Sequence, residues 1–187
     1  MSRSGGMLLA VVGTALAAAF LSPQAGSTSQ EGYRFVGGTA AERGVVEKAL
    51  EASSFDWSVI PATITVHIVR GVDSGATRGD IWLDANLLDS GTFAFGVVQH
   101  EFAHQVDYFL FDDAIRAKFL RALGGQDWCY AVLGLAHRAY GCERFASTLA
   151  WAYWPSPDNS LKPLSARDES AAMQPRRFRE LLSSVLS

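Results

Sequence analysis

The sequence has little of what several specialised protein classes require. Only two of its 187 residues are cysteine, too few for a domain held by many disulfides or for a four-cysteine zinc module. Positive charge is not in excess either, because 16 Lys and Arg stand against 19 Asp and Glu, for a formal net charge of −3. Nucleic-acid-binding domains are usually basic, so no nucleic-acid partner is expected. Hydrophobic residues are plentiful, at 49%, and can form a sizeable core.

The first 30 residues are almost without charge. Residues 7–21 form an apolar run that follows Arg3, and small residues occupy 25–27. This layout is typical of a cleaved secretory signal peptide, which predicts a secreted or extracytoplasmic protein. An uncleaved membrane anchor is the alternative, although a spanning helix needs about 20 apolar residues and Pro23 interrupts this run. We expect residues 1–27 to be removed, residues 28–187 to form one domain, and membrane contact only if the run is retained.

The rest of the chain predicts an α+β fold, with strands first and helices after them. Alternating apolar residues predict strands over 63–69 and 79–84. Helical spacing, or start and stop signals, predict helices over 40–52, 92–111, 112–124, 143–154 and from 175 onwards. The segment 92–111 is apolar almost all round, and a helix of that kind is buried.

The segment His100-Glu101-Phe102-Ala103-His104 is an HExxH motif inside this buried helix. His100 and His104 are four residues apart, so both imidazoles lie on one helix face and can hold one ion. Glu101 projects about 100° further round, where it can reach a metal-bound water without being a ligand. Two imidazoles bind Zn²⁺, and a nearby carboxylate takes the proton of the water that zinc activates. The motif therefore predicts one zinc ion per chain, with Glu101 as general base.

A zinc site of this kind needs a third protein ligand, and three residues can supply it. Glu143 begins an otherwise apolar helix, where a carboxylate needs a partner. His137 lies in a weakly structured stretch before that helix. Asp107 shares the face of His100, but its side chain is short and no glycine follows that would break the helix. Glu143 is favoured, and the other two stay open.

The HEFAH segment, with a helix bearing Glu-x-Phe-Ala, resembles the zincin metallopeptidases and within them the gluzincins. The resemblance covers about residues 60–155 and implies a zincin-like fold that hydrolyses peptide or protein substrates. It implies His100, His104 and Glu143 as ligands. In zincins an edge strand before the active-site helix pairs with extended substrate, and the segment in that place is Gly79, Asp80, Ile81, Trp82, Leu83 and Asp84. The chain is expected to act as a monomer.

Two positions depart from the thermolysin-like pattern of that group. The pattern has an Asp four residues after the ligand Glu that supports a ligand His, and this sequence has Ser147 there. The pattern also has a downstream His that stabilises the oxyanion, and no His follows His137 here. Candidate replacements for that donor are Tyr130, Tyr140, Tyr153 and His137. If none serves, the alternative is a zincin-fold module that binds zinc and a partner but hydrolyses little.

The two cysteines, Cys129 and Cys142, are expected to form a disulfide in an exported protein. Two free buried thiols are the alternative. Cys142 directly precedes Glu143, so the bridge would hold the start of the helix that carries the favoured third ligand.

Overall fold

The computed structural model describes residues 29–30 and 32–186, and the predicted signal peptide lies outside these residues. The strands are β1 Ser29–Gln30, β2 Tyr33–Gly37, β3 Ile64–Val69, β4 Gly75–Thr77 and β5 Asp80–Asp84. The α-helices are α1 Ala40–Ala52, α2 Ala85–Leu88, α3 Phe95–Leu110, α4 Asp113–Leu123, α5 Gly141–Tyr153 and α6 Pro175–Leu186. Short 3₁₀ turns cover Trp57–Val59, Gly91–Ala94, His137–Ala139 and Glu169–Ala171. The predicted α+β class is confirmed.

The five strands form one mixed sheet in the order β1-β2-β3-β5-β4. Strands β2, β3 and β5 run parallel, while β1 and β4 are antiparallel to their neighbours. Helix α1 makes the crossover between β2 and β3, and it begins with a capping box, in which Thr39 and Glu42 exchange hydrogen bonds of 2.6 and 3.2 Å. Ile64, Val66 and Ile68 are buried on one face of β3, as alternation predicts.

The prediction that 79–84 is the edge strand is wrong. Strand β5 is paired on both sides, with β3 and with β4, so its backbone is not free to bind a substrate. Gly79 lies in the turn before it, with a φ of +89° that favours glycine. The turn folds the segment Gly75–Thr77 back onto β5, and β4 takes the edge.

Helix α3 holds the β4–β5 hairpin through two of its side chains, Gln105 and Tyr108. The amide of Gln105 accepts from the backbone N–H of Gly79 at 2.8 Å and donates to the carbonyl of Thr77 at 2.8 Å. The hydroxyl of Tyr108 donates to the carbonyl of Ala76 at 3.2 Å. Both side chains come from the HExxH helix, so the edge strand β4 is held beside the motif.

Helix α5 packs across α3 and is buried along nearly its whole length. Phe145 is fully buried there against Phe111, Phe119 and Phe178. Its first residue is Gly141, where a side chain would lie 2.7 Å from the ring of Trp128. A glycine therefore allows the first turn of α5 to lie directly against Trp128 and against Leu120 of α4.

The predicted disulfide between Cys129 and Cys142 is confirmed, with a Cα–Cα distance of 5.5 Å. The backbone N–H of Cys142 also donates to the carbonyl of Trp128 at 2.8 Å. The loop before α5 is thus joined to that helix by a covalent bond and by main-chain bonding. No helix in the described part of the chain has the length and apolar character needed to cross a bilayer.

Candidate metal centre

Three buried side chains meet where α3 and α5 cross. Nε2 of His100 lies 3.1 Å from Oε2 of Glu143, and Nε2 of His104 lies 3.4 Å from the same oxygen. The two imidazole Nε2 atoms are 3.1 Å apart. Ligand atoms held about 2.0–2.1 Å from a tetrahedral zinc ion are about 3.3 Å from one another, so the three separations fit one ion. His100, His104 and Glu143 therefore form a group that could bind a metal.

The structure separates the three candidates for the third ligand. Glu143 lies with His100 and His104 in the candidate metal-binding group, as favoured. Asp107 points away from it and accepts hydrogen bonds from Arg116 at 2.8 Å and from the indole of Trp128 at 3.0 Å. His137 contacts Glu143 with Nε2 at 3.1 Å, and its other ring nitrogen lies 2.7 Å from Glu169. Asp107 is thereby a structural residue, and His137 borders the group.

Glu101 is buried beside the two histidines and faces the same cavity. Its carboxylate accepts no hydrogen bond from any residue that the structure describes. Burial raises its pKa, although the charges of His100 and His104 partly offset the rise. Glu101 therefore offers a proton acceptor that the protein itself leaves unused.

The site opens into a cavity of about 240 Å³. Its lining comes from α3, from α5, from the disulfide loop and from the end of β4. The lining residues are Ser74, Gly75, Ala76, His100, Glu101, His104, Tyr108, Cys129, Tyr130, His137 and Glu143. The strand predicted to bind substrate does not contribute, since Ile81 and Leu83 are buried in the core and Asp80 and Trp82 contact His67. The edge strand β4 lines the cavity in its place.

Two of the four candidate oxyanion donors line this cavity and two do not. Tyr130 donates to Oε1 of Glu143 at 2.9 Å, and His137 approaches Oε2. Tyr140 instead donates to the carbonyl of Val132 at 2.8 Å, and the ring of Tyr153 packs on Phe55. Only Tyr130 and His137 therefore remain as donors among the predicted four.

The charges of these groups are strongly coupled. Burial alone would raise the pKa of Glu143, but hydrogen bonds from His100, His104 and His137 outweigh it and hold that pKa well below its usual range. Hydrogen bonds to Glu143 and then to Glu169 raise the pKa of His137 to about 10. Without a metal, Glu143 is thus ionised and His137 carries a proton on each ring nitrogen at neutral pH.

Besides the β4 segment, Tyr108 and Glu169 were not identified from the sequence. Tyr108 lines the cavity one turn after His104, a helical spacing that the motif could have indicated. Glu169 reaches the site from a 3₁₀ turn beyond the predicted end of the family resemblance. It contacts both His137 and Ser147, at 2.7 and 3.0 Å. No local pattern marks it, because its position depends on how the C-terminal segment folds back over α5.

Comparison with models of protein families, with curated proteins and with solved structures finds no significant match for this chain. Its function is therefore inferred from the residues of the site.

Proposed function

We propose that this protein is an exported, zinc-dependent peptidase with a zincin-like fold of the gluzincin type. The observation that carries the proposal is a buried His100–His104–Glu143 group that faces a cavity next to the unpartnered carboxylate of Glu101. Structural zinc sites are usually closed by four protein ligands, whereas catalytic sites have three and keep one position open. Three ligands at the floor of a cavity favour the catalytic kind.

The reaction divides among the residues that line the cavity. When bound, zinc supplies an acidified water and polarises the carbonyl of the substrate. Glu101 accepts the proton of the attacking water and delivers it to the leaving amine. The raised pKa of Glu101 suits the first step, because a carboxylate with a higher pKa is a stronger base and accepts a proton more readily than an ordinary carboxylate.

Negative charge develops on the carbonyl oxygen of the substrate during the attack. The hydroxyl of Tyr130 and Nε2 of His137 are hydrogen-bond donors on the side of the cavity formed by Glu143. Without a metal both donate to Glu143, so each would turn its proton from that carboxylate to the substrate oxygen as the charge develops. The thermolysin-like pattern gives this role to a downstream histidine that this chain lacks. We assign the role to Tyr130 and His137.

Strand β4 gives the proposed substrate its class. It is the edge of the sheet at this side, and Gly75 and Ala76 line the cavity. Ala76 directs its carbonyl away from β5 to Tyr108, so its N–H points to the same outer side of the strand. An extended peptide can pair with such an edge by main-chain hydrogen bonds.

The disulfide supports export, since such bonds persist in oxidising compartments.

The test is peptide hydrolysis by protein purified after export. Metal analysis is expected to find about one zinc per chain, and a mixture of internally quenched peptides should be cleaved until a chelator is added. Glu101→Gln should keep its zinc and lose hydrolysis by about 10²- to 10⁴-fold, because the amide cannot accept the proton.

Glu180→Gln is the matched control. It makes the same change on the exposed face of α6, where Glu180 pairs with Arg176, and it should cleave like the unchanged protein. Equal activity in Glu101→Gln would refute the general base. A zinc-loaded protein that cleaves no peptide in the mixture would favour the alternative, a zinc-binding module.

A further inference from the structure

Glu169 divides its two carboxylate oxygens between two neighbours of the metal-binding group. Oε1 lies 2.7 Å from Nδ1 of His137, and Oε2 accepts a hydrogen bond of 3.0 Å from the hydroxyl of Ser147. The hydroxyl of Ser147 also lies 3.1 Å from Nδ1 of His100. The carboxylate of Glu169 thus reaches the proposed ligand His100 through Ser147, and it contacts the proposed oxyanion donor His137 directly.

The direction of these hydrogen bonds follows from the chemistry of the groups. A hydroxyl has one proton, and Glu169 is an acceptor, so Ser147 donates to the carboxylate. The lone pairs of Ser147 then accept from Nδ1–H of His100. A histidine that keeps its proton on Nδ1 can give up the proton that Nε2 shares with Glu143, and Nε2 then presents a lone pair to a metal. The relay therefore selects the tautomer that can bind a metal.

Burial makes this selection effective. Ser147 is almost fully buried, and only a fifth of the Glu169 side chain is exposed, so water competes little for the hydrogen bonds. Partners that orient a ligand histidine in this way commonly change metal affinity by about 10–100-fold when removed.

The backbone of Glu169 is anchored independently of its carboxylate. Its carbonyl accepts from the hydroxyl of Thr148 at 3.2 Å and from the N–H of Ala172 at 3.1 Å. A change confined to the carboxylate therefore leaves the turn attached to α5. This separates an orienting role of the carboxylate from a purely structural one.

We propose that Glu169 is a positioning residue that sets the tautomer of His100 through Ser147 and holds His137 toward the cavity. The role of His137 in this proposal rests on the proposed function, in which His137 donates to the oxyanion. It makes the C-terminal segment part of the site, and it supplies from another element the carboxylate that is missing at position 147.

The first experiment measures zinc affinity by competition with a chromophoric chelator. Glu169→Gln and Ser147→Ala should each bind zinc about 10–100-fold more weakly than the unchanged protein. Asp168→Asn is the matched control, because Asp168 lies in the same turn but caps the backbone of Leu164 and Ser165. It should keep the original affinity. Zinc affinity within twofold of the original in both Glu169→Gln and Ser147→Ala overturns the proposal.

The second experiment observes His137 by proton NMR of the metal-free protein. The proton that its Nδ1 shares with Glu169 should resonate far downfield and be absent in His137→Gln, which assigns it. It should also be lost in Glu169→Gln and kept in Asp168→Asn. Persistence in Glu169→Gln overturns the His137 part. Neither readout requires peptidase activity, so failure of the proposed function would appear separately, as normal zinc binding without hydrolysis in the unchanged protein.

Discussion

Tyr130 donates a hydrogen bond of 2.9 Å to Oε1 of Glu143, the carboxylate whose other oxygen faces the imidazoles of the site. Among the described residues, Tyr130 is also the one non-glycine residue with a positive φ, at 57°. That conformation is uncommon for a residue with a bulky side chain and persists where the surroundings enforce it. Here the neighbouring disulfide and the ring of Tyr140 surround it. The tyrosine thus occupies one oxygen of Glu143, while the other oxygen faces the three histidines.

We expect Tyr130→Phe to lower kcat by about 10²-fold while changing KM little, because loss of one fixed oxyanion donor has effects of this size. Burial and the charge of Glu143 raise the pKa of Tyr130, so its hydroxyl remains a donor at neutral pH. The measurement is steady-state hydrolysis at saturating zinc. Tyr153→Phe removes a hydroxyl outside the cavity and should leave kcat unchanged. Equal kcat in the two variants would contradict the role of Tyr130.

Reduction of the disulfide should affect both stability and the metal site. Cys129 precedes Tyr130 and Cys142 precedes Glu143, so the bridge fixes two neighbours of the proposed ion. In the chain-entropy model, closing the loop between Cys129 and Cys142 contributes about 3 kcal/mol to the free energy of unfolding. We expect urea unfolding of the reduced protein to show a loss of that order, and zinc titration to show weaker binding. Because the chain has no other cysteine, reductant should have no effect on Cys129→Ala/Cys142→Ala.

An outcome in which reduction lowers the free energy of unfolding but leaves zinc affinity unchanged would limit the bridge to a structural role.

The group of His100, His104 and Glu143 could be predicted because it depends on local spacing and on a carboxylate that an apolar helix leaves without a partner. His100 and His104 lie one helical turn apart in any helix, whatever surrounds it. Glu143 stood out because a carboxylate at the head of an apolar helix requires a partner. Both signals are present within a few residues of sequence, and the packing of α5 on α3 brings them together.

The edge strand and Glu169 could not be predicted, because tertiary packing places them. The apolar alternation of Ile81 and Leu83 marks a strand but does not say which side of it is paired. The segment Gly75–Thr77 consists of small residues with no strand pattern, and it becomes β4 by pairing with β5 and by hydrogen bonds from Gln105 and Tyr108. Glu169 lies in a polar loop that is distant in sequence from the motif.

The edge position of β4 predicts how substrates bind. If a peptide pairs with Gly75–Thr77, methylation of successive backbone amides of a good substrate should raise KM strongly at alternate positions, because only every second N–H faces the strand. The measurement is KM and kcat for a series of N-methylated peptides of one sequence. The same methyl groups should have little effect at the intervening positions. A flat series would contradict binding along β4.

The metal-free protein should lose stability at alkaline pH. Hydrogen bonds to Glu143 and Glu169 raise the pKa of His137 from 6.5 to about 10. A histidine with a higher pKa in the folded than in the unfolded state stabilises the fold while it is protonated. Its contribution is complete below about pH 6.5 and is lost as pH rises through about 10. The urea midpoint of the chelator-treated protein should therefore fall across this interval.

His137→Gln should show a smaller fall in that midpoint between pH 6.5 and 10. Some fall in the urea midpoint should remain, because the pKa of His100 is also raised. Burial would lower the pKa of His100, but the hydrogen bond to Glu143 and the charge of Glu101 outweigh burial. His67→Gln is the matched control, since His67 lies on the central strand β3, outside the lining of the cavity, with Asp80 as its partner. In the folded state alone, the imidazolium of His137 is bonded to two carboxylates, so deprotonation must remove this stabilisation. Identical pH dependence in His137→Gln and the unchanged protein would therefore contradict the prediction.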